Sequence, residues 1–485
     1  MNGSSSIAEK VAIAVTTLAM VVSVAFAVVI GVAYNNNSHR TAATAGTVVS
    51  ATDGSGSPVV DASATPDSLG TAIPVGGGGT TTTTSNGGGS GSAGTSHLSN
   101  SQAASGVTAD RITVGGIFDM TGAVDSSVER DTVRAYFDKV NAAGGVNGRK
   151  LQMVDCDSRY DVTAAQQCSN QMISSNVLAI VGWTLPKGED EQVSRLTQAN
   201  IPIIGGLGTP AEFASPLSFP VSTPFTRYGQ GLAARAKELG IKHPAIVYIS
   251  DVGWVAPVKD ALLKALHDQG IHETHVAAAT STEAAYDQDV SALEHQNDAG
   301  PCATSDTSQP CPDGLIPALD PFSYNRLFQA MRRANWHPTL LGGGLDKGSS
   351  QADYKEFLDG ANSLVPFLSP YDNPNNPTVK DYLSTMQTYY PGKQYNALDI
   401  YTQHSWTAAM VFVEALKRAG TNVTRASLVQ ALNSIQNFDT GWSKPLSYGT
   451  GNHDPNHCFT WTKHDPNPSD AGGTWHTISD WKCFN

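Results

Sequence analysis

Three stretches of this chain hold residue types that could do chemistry. Asp155 to Cys168 reads DCDSRYDVTAAQQC, two cysteines among aspartates, an arginine and a tyrosine. That is material for a metal site, a redox pair or a clamp on a loop. Near the C-terminus, NHDPNHCFTWTKH (452–464) gathers His453, His457, Cys458 and His464, the nitrogen and sulfur donors that zinc prefers. Pro455 prevents a helix that would stack His453 over His457. GGGLDKGSS (342–350) has the flavour of a phosphate loop, but it runs Lys347-Gly348-Ser349 where that loop needs Gly-Lys-Ser. No G-x-S-x-G occurs, so a hydrolase nucleophile elbow has no support.

What could position these residues depends on the compartment. The chain has 485 residues. After a short N-terminus (1–10), Val11 to Tyr34 is an uncharged apolar run, roughly 36 Å long as a helix and enough to cross a bilayer. A transmembrane signal-anchor with residues 1–10 in the cytoplasm is expected; a cleaved signal peptide ending near Gly31-Val32-Ala33 is the alternative. Residues 35–106 are rich in Gly, Ser and Thr, and the runs TTTTTS, GGGG and GGGSGSAGTS within them have almost no apolar content. They read as a disordered linker with a reach of about 45–50 Å. The remainder, 107–485, exceeds a single core and predicts two lobes. A formal charge of −13 argues against nucleic acid as a partner. All six cysteines lie beyond the linker, in the close pairs Cys156/Cys168, Cys302/Cys311 and Cys458/Cys483. Behind an export signal, such pairs read as disulfides on a domain outside the cytoplasm. Fifteen pairings are formally open; the local one is expected. No cysteine precedes Cys156, which leaves no site for a lipid anchor.

Within 107–485, strand-like runs alternate with helix-like ones. ITVGGI (112–117), KLQMV (150–154), VLAIVG (177–182), IPII (201–204), AIVYI (245–249), GLIPA (314–318) and TLLGG (339–343) are strands. Residues 128–142, 163–174, 189–199, 256–269 and 324–334 are helices. This alternation predicts α/β lobes built on doubly wound parallel sheets, with ligands bound at the carboxyl ends of the strands.

At this point the chain resembles the type I periplasmic binding proteins, specifically the leucine/isoleucine/valine-binding group of ABC-transporter solute-binding proteins. The resemblance is carried by ITVGGIFDMTGAV (112–124), NAAGGVNGRKLQMVDCD (141–157), LAIVG (178–182), IPIIGGLGTPAEF (201–213), AIVYISD (245–251), ALDIYTQHSWTAAMVFVEALKRAG (397–420) and PLSYGTGNHDPNHCF (445–459). It implies two lobes joined by three crossovers, lobe 1 at about 107–226 and 347–440, lobe 2 at about 227–346 and 441–485. It also implies a small ligand in the cleft, no catalysis and no cofactor, and it makes 452–464 a closing hairpin rather than a metal site.

Carried over residue by residue, the resemblance places a ligand carboxylate at the loops Gly182–Pro186 and Gly206–Pro210. Thr184 and Thr209 would offer hydroxyls, and Gly208 would allow close backbone approach. Trp183 and Leu185 stand where relatives carry Ser or Thr, which points to a larger, flatter or more apolar ligand. The second lobe would add Asp251 and Asp320 for a ligand ammonium, with Trp254 and Phe322 as walls. Asp320 before Pro321 also reads as a helix N-cap. Asp119 and Thr121 in the first loop are further expected cleft positions, and Asp346, after Gly342-Gly343-Gly344, would line the cleft or sit at the hinge. The expected function is a membrane-anchored extracytoplasmic solute receptor that closes on a branched-chain amino acid, a related amide or another small amphiphile and delivers it to an ABC permease. A sensory module of the same fold, signalling to a membrane partner, is the alternative.

Overall fold

The computed structural model describes residues 105–122, 125–294, 311–346, 354–392, 399–451, 453–465 and 474–484. The expected anchor (11–34), nearly all of the linker, Cys302 and the Lys347–Ser349 stretch lie outside the described residues. No helix among the described residues is long and apolar enough to cross a membrane.

The first lobe is a parallel sheet of β1 (Arg111–Phe118), β2 (Lys150–Asp157), β3 (Ile180–Thr184), β4 (Ile203–Ile204) and β5 (Ser218–Phe219), in the order β2-β1-β3-β4-β5. Successive strand residues point to opposite faces, and both faces are covered. Val114, Phe118, Val181 and Ile204 pack on α1 (Ser127–Ala142) and α10 (Ile400–Ala419). Ile117, Ile180, Trp183 and Ile203 pack on α2 (Val162–Ser174) and α3 (Glu189–Gln198). A short α4 (Pro210–Ala214) follows β4, and α11 (Arg425–Asn433) follows α10.

The second lobe has β6 (Pro244–Ile249), β7 (His275–Ala279) and β8 (Gly314–Ala318) in the parallel order β7-β6-β8. A bridge from Leu315 to Leu340 continues this sheet into β9 (Leu341–Gly343), β10 (Asn362–Val365), β11 (Cys458–Asp465) and β12 (Thr474–Thr477); β13 (Lys482–Cys483) pairs with β11. Helices α5 (Phe225–Leu239) and α6 (Val255–Asp268) cover one face through Leu232, Ala236, Leu262 and Leu266. Helices α7 (Asp287–Glu294) and α8 (Pro321–Ala334) cover the other through Val290, Leu327, Phe328 and Met331. Helix α9 (Pro377–Tyr389) packs on α1 in the first lobe.

The sheet pairing moves two expected lobe boundaries. Strand β10 hydrogen-bonds β9 and β11, so the second lobe runs on to Val365 rather than ending at residue 346. Leu446 and Tyr448 are buried in the first lobe's core, so that lobe keeps the chain past residue 441. Among the described residues the chain crosses between lobes three times: at Pro220–Pro224, after Val365, and between Tyr448 and Cys458. The first and third crossings are tied together. Tyr448 donates its hydroxyl to the Pro220 carbonyl at 2.6 Å, and Arg227 pairs with Asp454 and His457.

Two expected disulfides are present, Cys156–Cys168 and Cys458–Cys483, and Cys311 is disulfide-bonded as well. The four residues of the metal-like cluster have separate occupations. His453 bonds Asn433, His457 faces Arg227, Cys458 is oxidised, and His464 packs edge-on against Trp475.

Candidate functional site

The strand order reverses beside β1, which has β2 on one side and β3 on the other. Such switch points leave a crevice at the carboxyl ends of the strands. The crevice of the first lobe faces the corresponding ends of β6, β8 and β9, and a cavity lies between them. Ser126, Glu129, Thr184, Pro186 and Leu207 line it from the first lobe. Trp254, Ala318, Asp320, Tyr324 and Gly343 line it from the second, with Ile400 and Tyr401 at the back. On the second-lobe side Leu232 and Leu262 of the packed α5–α6 pair, with Val258 and Ile316, give the cavity an apolar lining. Phe225 stacks on Trp254 at 5.1 Å between ring centroids and makes one wall of it.

Three contacts span the rims of the lobes. Lys187 reaches Asp251 at 2.9 Å and Ser281 at 3.0 Å. Trp254 donates its indole N–H to the Pro186 carbonyl at 2.8 Å. Tyr160 donates its hydroxyl to Asp320 at 3.1 Å. The cleft is therefore closed at its edge. Asp251 also accepts from the Ser281 N–H and hydroxyl. Burial acts against it, yet these bonds and Lys187 hold its carboxyl below the usual range.

The stretch DCDSRYD builds one of those contacts. Asp155 meets Arg130 and Arg134 at the end of β2. Asp157 accepts from the N–H groups of Met120, Thr121 and Arg159. Asp119, fully buried, accepts from the Ser158 hydroxyl and the Tyr160 N–H, each at 2.6 Å. Between these two carboxylates, Arg159 and Tyr160 adopt φ of 55° and 56°, a left-handed conformation costing about 1–2 kcal/mol per residue outside glycine. Asp161 then caps α2 by accepting from the Ala164 N–H. The strained turn sends Tyr160 across the cleft. Burial, partly opposed by those two hydrogen bonds, pushes the Asp119 carboxyl up to about 6; the neighbouring Asp157 and Asp320 add to the rise.

The loop after β4 departs furthest from expectation. The N–H groups of Leu207, Gly208 and Thr209 do point at a carboxylate, but it is the chain's own Glu212, at 3.1, 2.7 and 3.2 Å. Trp183 donates its indole N–H to the same group at 3.0 Å. Thr209 turns its hydroxyl to Glu189, at 2.8 Å. Gly206, at φ 118°, is required here because a Cβ would fall on the Glu212 carboxylate. Burial raises both acids, and the Glu212 charge raises Glu189 further; the N–H donors and Glu189 pull Glu212 back.

Of the expected site residues, Thr184, Trp254 and Asp320 line the cavity. Trp183, Gly208 and Thr209 surround Glu212 behind the cavity wall, and Asp251 is in the rim pair with Lys187. Phe322 falls in the first turn of α8, and its side chain lies outside the described residues. Asp346 sits beside the second crossing, near Phe367 and Gln403. Sequence reasoning missed Glu212 and Tyr160. Thr209-Pro210-Ala211-Glu212 carries a capping-box signature, Thr then Glu three residues on, which could have revealed the first. Nothing local signals the second.

The fold has many solved counterparts. A fatty acid ABC transporter substrate-binding protein from Thermomonospora curvata superposes with a TM-score of 0.66 at 19% identity, over 79% of this chain and 94% of that one. An ABC-transporter solute binding protein from R. palustris in complex with benzoate gives 0.62 at 14% identity, over 76% and 95%. A leucine binding protein from Thermotoga maritima gives 0.60 at 15% identity, over 76% and 98%. No curated protein matches significantly. A periplasmic binding protein family model matches residues 111–470, from the first strand of one lobe into the closing hairpin of the other. With two doubly wound lobes around an interlobe cleft, the chain belongs to the type I periplasmic binding proteins.

Proposed function

We propose that this protein is an extracytoplasmic solute receptor that closes its lobes on a small, largely apolar molecule and delivers it to an ABC permease. The observation that carries the reading is the interlobe cavity with its largely apolar lining. A pocket with this lining suits a small amphiphile, because apolar walls supply affinity and a few polar groups set orientation. The substrate-binding proteins named above, described for a fatty acid, benzoate and leucine, support a small organic solute of this kind. The run 11–34 would anchor the receptor, and the 35–106 linker would raise its effective concentration at a membrane partner. Closure is a hinge motion at the three crossings.

The test is a thermal-shift screen of the full chain against a library of small amphiphiles. A ligand at about 100 times its Kd adds about 2.7 kcal/mol of stability. Trp254→Ala, which removes a cavity wall and a rim hydrogen bond, should weaken every hit. Hits that bind this variant and Thr184→Val unchanged would place the ligand elsewhere.

A further inference from the structure

The cavity has an electrostatic bias that its apolar walls do not reveal. Its ionisable lining is acidic: Glu129 from the first turn of α1 and Asp320 from the start of α8. No Lys, Arg or His among the described residues lines it. Cations near its rim are engaged elsewhere. Lys187 is held by Asp251 and Ser281. Arg326 donates to the carbonyls of Ser281 and Glu283 and to the Ser323 hydroxyl. A ligand carboxylate would thus lie near two acidic side chains with no counter-charge.

The N–H donors of the loop after β4 are engaged too. A cleft can hold a carboxylate without a cation if backbone N–H groups converge on it. In this cleft the converging set, the N–H groups of Leu207, Gly208 and Thr209 with the Trp183 indole, closes on Glu212. Glu212 is fully buried and takes up these donors from inside the fold. Leu207 reaches the cavity, but its N–H points away from it, at that carboxylate.

We infer that the cleft selects an apolar molecule whose head group donates hydrogen bonds and carries no negative charge, an amine or an alcohol, and discriminates against carboxylates. The apolar body would lie against Leu232, Val258, Leu262 and Ile316. The head would remain at Glu129, Asp320 and Thr184, whose hydroxyl has no partner among the described residues. This rests on reading the cleft as the binding site.

Three probes of equal chain length, octylamine, 1-octanol and octanoate, separate the possibilities by isothermal titration on the full chain at neutral pH. Octylamine or octanol should bind at least about tenfold more tightly than octanoate, the order expected for one repelled unit charge at roughly 10 Å and an effective dielectric near 20. Octylamine ahead of octanol assigns the head to an ammonium; the reverse assigns it to a hydroxyl. Glu129→Gln should narrow the gap by raising octanoate affinity. Octanoate binding as tightly as both other probes overturns the charge preference and leaves the cleft assignment standing. Failure of all three to bind folded protein, checked by circular dichroism, overturns both.

Discussion

Asp119→Asn tests the electrostatics of the turn that aims Tyr160. The Asp119 carboxyl rises from 3.8 to about 6, first because it is buried. A carboxyl with a raised native pKa holds its proton more tightly folded than unfolded. Its stabilising contribution is therefore full below 3.8 and is lost as pH climbs through about 6. The whole effect is about 3 kcal/mol, of which about 2 kcal/mol falls between about pH 4.5 and about pH 7.5. Asparagine keeps an oxygen that can accept from the Ser158 hydroxyl and the Tyr160 N–H, but it never ionises. Urea unfolding of wild type and variant at the two pH values gives two stability differences. Other titrating groups occur in both proteins and cancel. The variant should gain about 2 kcal/mol on wild type between the lower and the higher pH, whatever its offset. A difference that stays flat, or runs the other way, would refute the claim that a carboxylate is being forced to ionise in a buried site.

His404, buried in α10, should act in the opposite sense. Burial lowers its pKa to about 3, so the unfolded chain takes up its proton first; stability is present above the unfolded value of 6.5 and falls as pH drops toward about 3. His404→Leu should lose about 2.7 kcal/mol less than wild type between neutral pH and about pH 4.5, measured by the same unfolding experiment. Tyr160→Phe removes the hydrogen bond to Asp320 across the cleft and should weaken ligand binding by about 0.5–1.5 kcal/mol, mostly through faster release in stopped-flow measurements. Glu212→Ala leaves the Leu207, Gly208 and Thr209 N–H groups facing an empty site. Its melting temperature should drop sharply and be partly restored by formate, whereas wild type should not respond.

Much of the framework was legible because it depends on local pattern. GLIPA (314–318) became β8 with the same ends, and the reading of 128–142 as a helix differs from α1 by one residue. The missed elements lack such a pattern. NSLV in β10 is held by pairing with β9 and β11, far away in sequence, and that pairing moved a lobe boundary. At the site, Thr184, Trp254 and Asp320 follow directly from strand ends, which topology places at the cleft. Gly208 and Thr209 follow the same rule and do meet a carboxylate. Which carboxylate depends on the position of Glu212, one turn into α4. Tyr160 depends on two consecutive left-handed residues held by Asp119 and Asp157, without the glycine that would mark such a turn.

The three crossings have a mechanical consequence. Straps lying side by side bend easily about a line drawn across them and resist torsion and shear. The Tyr448–Pro220 bond and the Arg227–Asp454 pair lash the first strap to the third, which stiffens the set against twisting. The lobes are then left with close to one degree of freedom, a swing that brings Tyr160, Lys187 and Trp254 to their partners together. A molecule slightly too thick for the gap loses all three contacts at once. On the function proposed above, such closure would work as a calliper, gauging the guest's thickness.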